Sequence, residues 1–229
     1  LNGIRAAGDG ISFYSYTWPT LVFGPRVGAA YDLTGTQSVV LRAGAGLFYD
    51  RPNGNTIFSI PTSPPTTSSQ DLRFGQLQNL GGGLSPIGVP TLSTFEYDAK
   101  VPSSSQWNAG IQMALPWASS LDVSYVGQYG FNLLQQVNLN QVNLGAGYLP
   151  ENQDTTRTAS ATPGANALPT NNLRPLPGLS AIQQQTPGFT QLYHSLQTSF
   201  NRRFRGGMSF GINYTYSISY TGTAGLTKR

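Results

Sequence analysis

Along residues 208–220, MSFGINYTYSISY, every even position is apolar or aromatic (Met208, Phe210, Ile212, Tyr214, Tyr216, Ile218, Tyr220) and every odd position is small or polar. Successive side chains of a β-strand point to opposite faces, so this pattern predicts a strand with one greasy face and one polar face. The segments 23–35, 38–50, 106–115, 120–130 and 193–204 repeat the alternation. Val27, Ala29 and Tyr31 oppose Arg26, Gly28 and Asp32 in the first, and Leu196, Thr198 and Phe200 oppose Gln197, Ser199 and Arg203 in the fifth. Each run is long enough for the roughly 9 to 11 residues of a tilted membrane-crossing strand.

The connections are lopsided. Short turns are predicted around Thr34-Gly35-Thr36, Pro116 to Ser119 and Phe204-Arg205-Gly206. In the last, Gly206 falls where a three-residue hairpin needs a left-handed residue, and Arg203 is expected opposite Gly207. Segments 51–104 and 136–190 are long instead, and they hold 13 of the 16 prolines. Proline is excluded from central strands, so both are read as surface loops without hidden strands. In an up-and-down meander every short turn then lies on one side and every long loop on the other. The fold expected is all-β: an antiparallel meander of about six long strands, part of a transmembrane outer-membrane β-barrel with two long extracellular loops.

Composition sharpens this picture. Only 10% of residues are charged, against about 25% in an ordinary soluble domain, and neutral polar residues and aromatics take their place. A soluble β-sandwich would put Lys and Glu on its solvent face, whereas 208–220 carries no charge. No run approaches the roughly 18 apolar residues of a membrane-spanning helix. The net charge is +4, but the one basic cluster, Arg202, Arg203 and Arg205, reads as a turn with basic flanks, so no nucleic-acid partner is expected. With no cysteine the chain has no disulfide framework and no Cys-based metal site, as suits an exported protein. It opens LNGIRAAGDG and closes GLTKR, ends that read as cut from a longer protein. The organisation expected is a lead-in over 1–22, a partial barrel over 23–220 and the start of a further loop over 221–229.

The segments FGPRVGAAYDLTGTQSVVLRAGAGLFYDR, QWNAGIQMALPWASSLDVSYVGQYGFNLLQQVNLNQV and YHSLQTSFNRRFRGGMSFGINYTYSISY resemble the barrel of TonB-dependent receptors, specifically the large Oar-like subgroup. The resemblance lies in the strand pairs; the long loops match only in length and composition. It implies a barrel of about 22 strands closed by an N-terminal plug, energised through TonB, importing substrates too large for porins. No plug and no TonB box is recognisable here. The implied setting is the outer membrane of a Gram-negative bacterium, with lipid, a plug domain, TonB and a transported ligand (siderophore, oligosaccharide or peptide) as partners, and no cofactor.

Candidate chemistry is sparse. His194, the only histidine, is placed at the start of the fifth strand and has no second His or Cys with which to hold a metal. The RAGAGLFYD glycines lie in a strand with no helix after it, so they are read as room for bulky neighbours, with Gly28 opposite Arg42, and not as a dinucleotide loop. No GxSxG elbow occurs, and the Glu96/Asp98 pair reads as a solvated loop; no enzymatic role is expected. Arg26, Asp32, Arg42, Asp50, Asp122 and Arg203 are expected on the interior face. Of these, Arg26, Arg42, Asp122 and Arg203 are the candidates for a substrate path. Phe210, Ile212 and Ile218 are expected to face lipid. Trp107, Trp117, Tyr31 and Tyr220 are expected in the interfacial aromatic girdles. The rival reading is a soluble or fibrous all-β extracellular module, an adhesin or carbohydrate binder using Tyr and Trp as stacking platforms. A barrel-borne hydrolase would need a convergent set of acid, base or nucleophile, and no such set is found.

Overall fold

The computed structural model describes residues 21–58, 89–97 and 100–223, and besides them positions 5, 8–10, 19, 60 and 67. Among the described residues there are seven strands: β1 (Arg26–Asp32), β2 (Val39–Tyr49), β3 (Leu92–Phe95), β4 (Ser103–Leu115), β5 (Ser119–Asn138), β6 (Ile182–Arg205) and β7 (Met208–Thr223). The six expected strands are all present, and one was not expected. The chain forms two compact units, the first comprising 1–51, 97–135 and 187–229 and the second 52–96 and 136–186.

In the first unit the strand order is β1-β2-β4-β5-β6, with β7 on β6. β1 with β2, β2 with β4, β4 with β5 and β6 with β7 all pair antiparallel, as an up-and-down meander requires. Matching strand by strand keeps the alternation in phase. Ala29, Ala43, Ala109 and Tyr125 stand in one row on the apolar face, and Ala30, Arg42, Gly110 and Ser124 in the next row on the polar face.

Two registers differ from expectation, each by two residues. Gly28 pairs with Gly44, and it is Ala30 that stands opposite Arg42. The reason is a wider turn: the Asp32 carboxylate accepts the Thr34 amide and hydroxyl and the Gln37 amide at 2.7 to 3.0 Å, closing residues 33–38 as one loop. In the last hairpin Arg205 pairs with Met208, so the turn is the two residues Gly206 and Gly207, with φ of 63° and 79°. Two consecutive left-handed residues make the tight hairpin turn whose twist suits the strands, and only glycine adopts it cheaply. A bulge between Arg202 and Arg205 absorbs the difference, and Asn201 pairs with Gly211. Because both displacements are even, each side chain stays on the face its parity predicts.

The second unit overturns the expectation of plain surface loops. β3 lies within 51–104 and runs parallel to the first residues of β6, Leu92 opposite Ile182 through Phe95 opposite Gln185. Both Leu92 and Ile182 are 2% exposed. A five-residue helix, Gly54–Phe58, also falls in that segment. β5 and β6 reach further than the alternation suggested, leaving 139–181 as the connection. Pro187 sits inside β6, between the residues that pair with β3 (182–185) and those that pair with β7 (189–205). On that edge no strand stands opposite it among the described residues, and such a position is where a strand tolerates proline.

The hub of 139–181 is Asn140, fully buried. Its Nδ2 donates to the carbonyls of Leu176, Leu179 and Ser180 at 2.8 to 3.1 Å, and its Oδ1 accepts the Leu176 amide at 2.9 Å. The Asn140 carbonyl accepts from Arg174 Nη1. Asn138 Oδ1 accepts the amides of Asn140 and Ile182, so one end of the connection is tied to the other. A buried amide is stable only when its donors and acceptors are met, and here they are.

Candidate functional site

The polar face of the first unit carries an open concavity of about 680 Å³ near the short turns. Asp32, Gln37, Arg42, Gln112, Ser120 and Arg203 are among the residues that line it. Pairing order explains their meeting: Asp32, Val40, Gln112 and Asp122 form one row across β1, β2, β4 and β5, and Arg42 stands one step along. Arg203 comes from the bulge on β6, where its amide donates to the Ala118 carbonyl of the adjacent turn at 3.0 Å. Bulges re-aim a side chain in this way. The Asp32 carboxylate is committed to its turn, whereas neither Arg42 nor Arg203 makes a side-chain hydrogen bond or ion pair among the described residues. Two exposed guanidiniums thus converge on a polar hollow, an arrangement that can hold a carboxylate, a phosphate or the acidic face of another chain segment.

Of the four interior candidates, Arg42 and Arg203 are brought together. Asp122 lies on the same face next to Gln112 but outside the lining. Arg26 is further along the sheet, stacked over the Phe48 ring at 4.6 Å, a cation–π contact that occupies it. Gln112 and Ser120 were not singled out from sequence, though their even numbering on β4 and β5 carried the signal.

The opposite face is apolar. Val27, Tyr31, Ile212, Tyr214 and Tyr216 are each more than half exposed on it, Phe210 and Ile218 about two-fifths. Of the four aromatics expected in girdles, Trp117 lies in the β4–β5 turn and is 76% exposed, Tyr31 is near the β1–β2 turn, and Tyr220 is toward the other end of β7. Trp107 differs only in that β4 begins at Ser103, which makes it the fifth residue of its strand, about as far from the strand end as Tyr220 is from the end of β7. The indole lies over Gly127, its cross-strand partner, where an added Cβ would come within 2.3 Å of the ring. His194 also differs, because β6 starts at Ile182 and places it deep in the strand, on the apolar face. Tyr125 Oη and His194 Nδ1 are 2.6 Å apart, and the Trp107 ring meets the imidazole edge-on with centroids 6.4 Å apart. The imidazole is satisfied by a phenol within an aromatic cluster, a structural arrangement. No group of three or more His, Cys, Asp or Glu residues is placed to hold a metal among the described residues.

In the second unit Glu96 follows β3 directly, its amide donating to the Gln185 carbonyl, and Glu96 Oε2 is shielded without a partner among the described residues. Asp98, the other half of the expected pair, lies outside the described residues. A second concavity, about 540 Å³, is lined by Tyr148, Gln153, Asp154, Arg157 and Asn166 among others. The Thr156 hydroxyl, and then its amide, hold the Asp154 carboxyl below the usual carboxylate range, with Arg157 adding a weak ion pair at 3.7 Å.

Comparison with known proteins agrees with this two-faced sheet. The family described as "Outer membrane beta barrel domain" matches residues 2–228. The solved structure of the outer membrane transporter YddB from Escherichia coli superposes with a TM-score of 0.55 at 16% sequence identity. The match covers 86% of this chain and 20% of that one, so the chain spans about a fifth of the transporter's length. Among curated proteins none matches.

Proposed function

Because the chain belongs to the outer membrane beta barrel domain family, and so to the Gram-negative outer membrane, we propose that its strands are a stretch of wall in a TonB-dependent transporter of the Oar-like subgroup. The observation that supports this best is the pairing of a charge-poor apolar face with a polar face that bears a hollow with two arginines unpartnered among the described residues. In a barrel the first face meets lipid and the second meets the lumen. Phe210, Ile212 and Ile218 then contact acyl chains, and Trp117, Tyr31 and Tyr220 sit near the membrane boundaries. The short turns are periplasmic, and the long segments are extracellular, where 139–181 helps to recognise a siderophore, oligosaccharide or peptide. Arg42 and Arg203 line the luminal route or seat an acidic part of a plug domain encoded elsewhere in the protein. The role is binding and passage, with energy supplied through TonB and no bond-making chemistry in this wall.

The chain has no cysteine, which makes the test clean. Single cysteines introduced along β7 in the complete protein are exposed to a water-soluble maleimide in outer-membrane vesicles. Positions 213, 215 and 217 are expected to react and 212, 216 and 218 to resist; equal labelling refutes the wall. Coupling to TonB predicts that loss of this gene and loss of TonB give the same defect on the nutrient concerned, and unequal defects refute that part alone.

A further inference from the structure

The apolar face ends, toward the short turns, in a cation. Arg202 pairs with Phe210 and shares its face, at the end of the stripe marked by the tilted Phe200 and Phe210 rings, whose centroids are 5.7 Å apart. Its guanidinium is poorly satisfied. Among the described residues Nη2 donates to the Arg205 carbonyl at 3.3 Å, Nη1 has only the Met208 sulfur at 4.0 Å, and Nε is shielded from solvent with no partner. The same short-turn rim carries two highly exposed aromatics, Trp117 at 76% and Phe204 at 75%. The Arg203 amide bond to the Ala118 carbonyl keeps the two turns adjacent. A long cationic side chain at the foot of an apolar stripe runs its stem over that stripe and sends its head to the membrane boundary, where indole rings also settle.

We propose that Arg202 binds the phosphate of a membrane phospholipid in the inner leaflet of the outer membrane, with the acyl chains lying along Phe200, Phe210 and Ile212. Resting on the barrel reading and its orientation, this assigns the site a ligand that transport does not require. Guanidinium donors suit phosphate oxygens, and the weakly engaged Nη1 and Nη2 of Arg202 are the donors that such a headgroup completes. Arg205 adds a second positive charge to the same rim, so an anionic headgroup is favoured over a zwitterionic one.

The test uses the complete receptor purified in detergent, stripped of lipid and incubated with dioleoyl phosphatidylglycerol, dioleoyl phosphatidylethanolamine, lipopolysaccharide or inorganic phosphate, and bound lipid is counted by native mass spectrometry. Phosphatidylglycerol is expected to be retained best, and Arg202→Gln to weaken retention about tenfold, the scale of one charge-assisted contact. Arg202→Lys keeps the charge without the fork and is expected to fall between. Should Arg202→Gln fold poorly, Trp117→Ala, expected to weaken retention less, provides a second readout on the same rim. Equal retention by Arg202→Gln overturns the site. Preference for lipopolysaccharide overturns the leaflet, and competition by millimolar inorganic phosphate overturns a lipid in favour of a free anion. Failure of the maleimide pattern along β7 would instead remove the barrel reading itself.

Discussion

Introducing arginine along the apolar face of β7 should cost in proportion to depth. From Phe210 to Tyr220 the stripe covers ten residue steps, which at about 3.3 Å per residue and a tilt of about 45° span about 23 Å, close to the ~25 Å apolar band of such barrels. Its midpoint falls between Tyr214 and Tyr216. Ile212 then lies about 7 Å from the midplane and Phe210 about 12 Å, near the boundary. Tyr216→Arg is expected to destabilise by about 2 to 4 kcal/mol, Ile212→Arg by about 1 to 2 and Phe210→Arg by less than about 1 beyond the loss of its own contacts. Those contacts differ: Tyr216 and Ile212 are 56% and 61% exposed and lose little to the protein itself, while Phe210 forfeits its tilted ring contact with Phe200. An alanine at each position therefore serves as the reference, and the arginine-minus-alanine difference isolates the membrane contribution. Asn213→Arg, on the polar face opposite Ser199, should cost well under about 1 kcal/mol. The measurement is reversible urea unfolding of the complete protein in phospholipid vesicles, followed by tryptophan fluorescence. A flat profile across 210, 212 and 216, or a cost at 213 equal to that at 212, refutes both the face assignment and the depth scale.

Three other outcomes follow from particular contacts. Trypsin added to intact cells should cut after Arg157, which is 63% exposed, and spare Arg174, held by Asn171 and the Asn140 carbonyl, and Arg205 in the opposite turn; cleavage at Arg205 with Arg157 intact reverses the orientation. Asn140→Ala removes the partner of the Leu179 and Ser180 carbonyls and of the Leu176 amide, each worth about 1 to 3 kcal/mol when buried and unmet, so hydrogen exchange at 139–181 should accelerate at least tenfold while β4 and β5 stay protected. Gly127→Ala should displace the Trp107 ring and destabilise, but in a Trp107→Ala background it should be close to neutral; additive costs would show that the ring does not need that glycine.

How much of this was legible in the sequence depends on what parity can carry. A period of two identifies strands and sorts faces, so Arg42 and Arg203 were placeable on one face and Ile212 on the other without coordinates. Register is a different quantity, set by how many residues a turn consumes. An error of two leaves every face unchanged, and so Gly28 could be set against Arg42 with no internal contradiction. The deciding features were the Asp32 carboxylate closing 33–38 and the Gly206-Gly207 turn with its bulge. Strand length failed for another reason. Pro187 looked like a barrier, but a proline is barred only where its missing N–H would face a partner, and that depends on which residues β3 and β7 reach. Least legible were contacts that close long loops. Asn140 reads as ordinary loop polarity until Leu176 to Ser180 fold over it, and the Tyr125–His194 bond joins residues 69 apart.

The same contrast governs how the chain behaves alone. Among the described residues the buried apolar side chains are Leu92, Phe95, Val101, Ala146 and Ile182, and none belongs to β1, β2, β4, β5 or β7. The strands of the first unit therefore contribute hydrogen bonds and a broad apolar surface but almost no dry core. Burial that stabilises a sheet at about 25 cal/mol per Å² must come here from lipid and from further strands. β1 and β7 also keep one unpaired edge each among the described residues, a template for pairing with another copy. Expressed by itself, this chain is expected to aggregate in buffer and to give a β-rich circular dichroism spectrum only with detergent or lipid present. The long connection should be less dependent on membrane, because Asn140, Asn138 and the Leu92–Ile182 contact are satisfied within the second unit; exchange protection at 139–181 should then survive detergent dilution better than protection at β7. A monodisperse monomer in plain buffer, unfolding cooperatively, would mean that the apolar face is covered by protein and not by lipid, and would restore the soluble all-β module as the better reading.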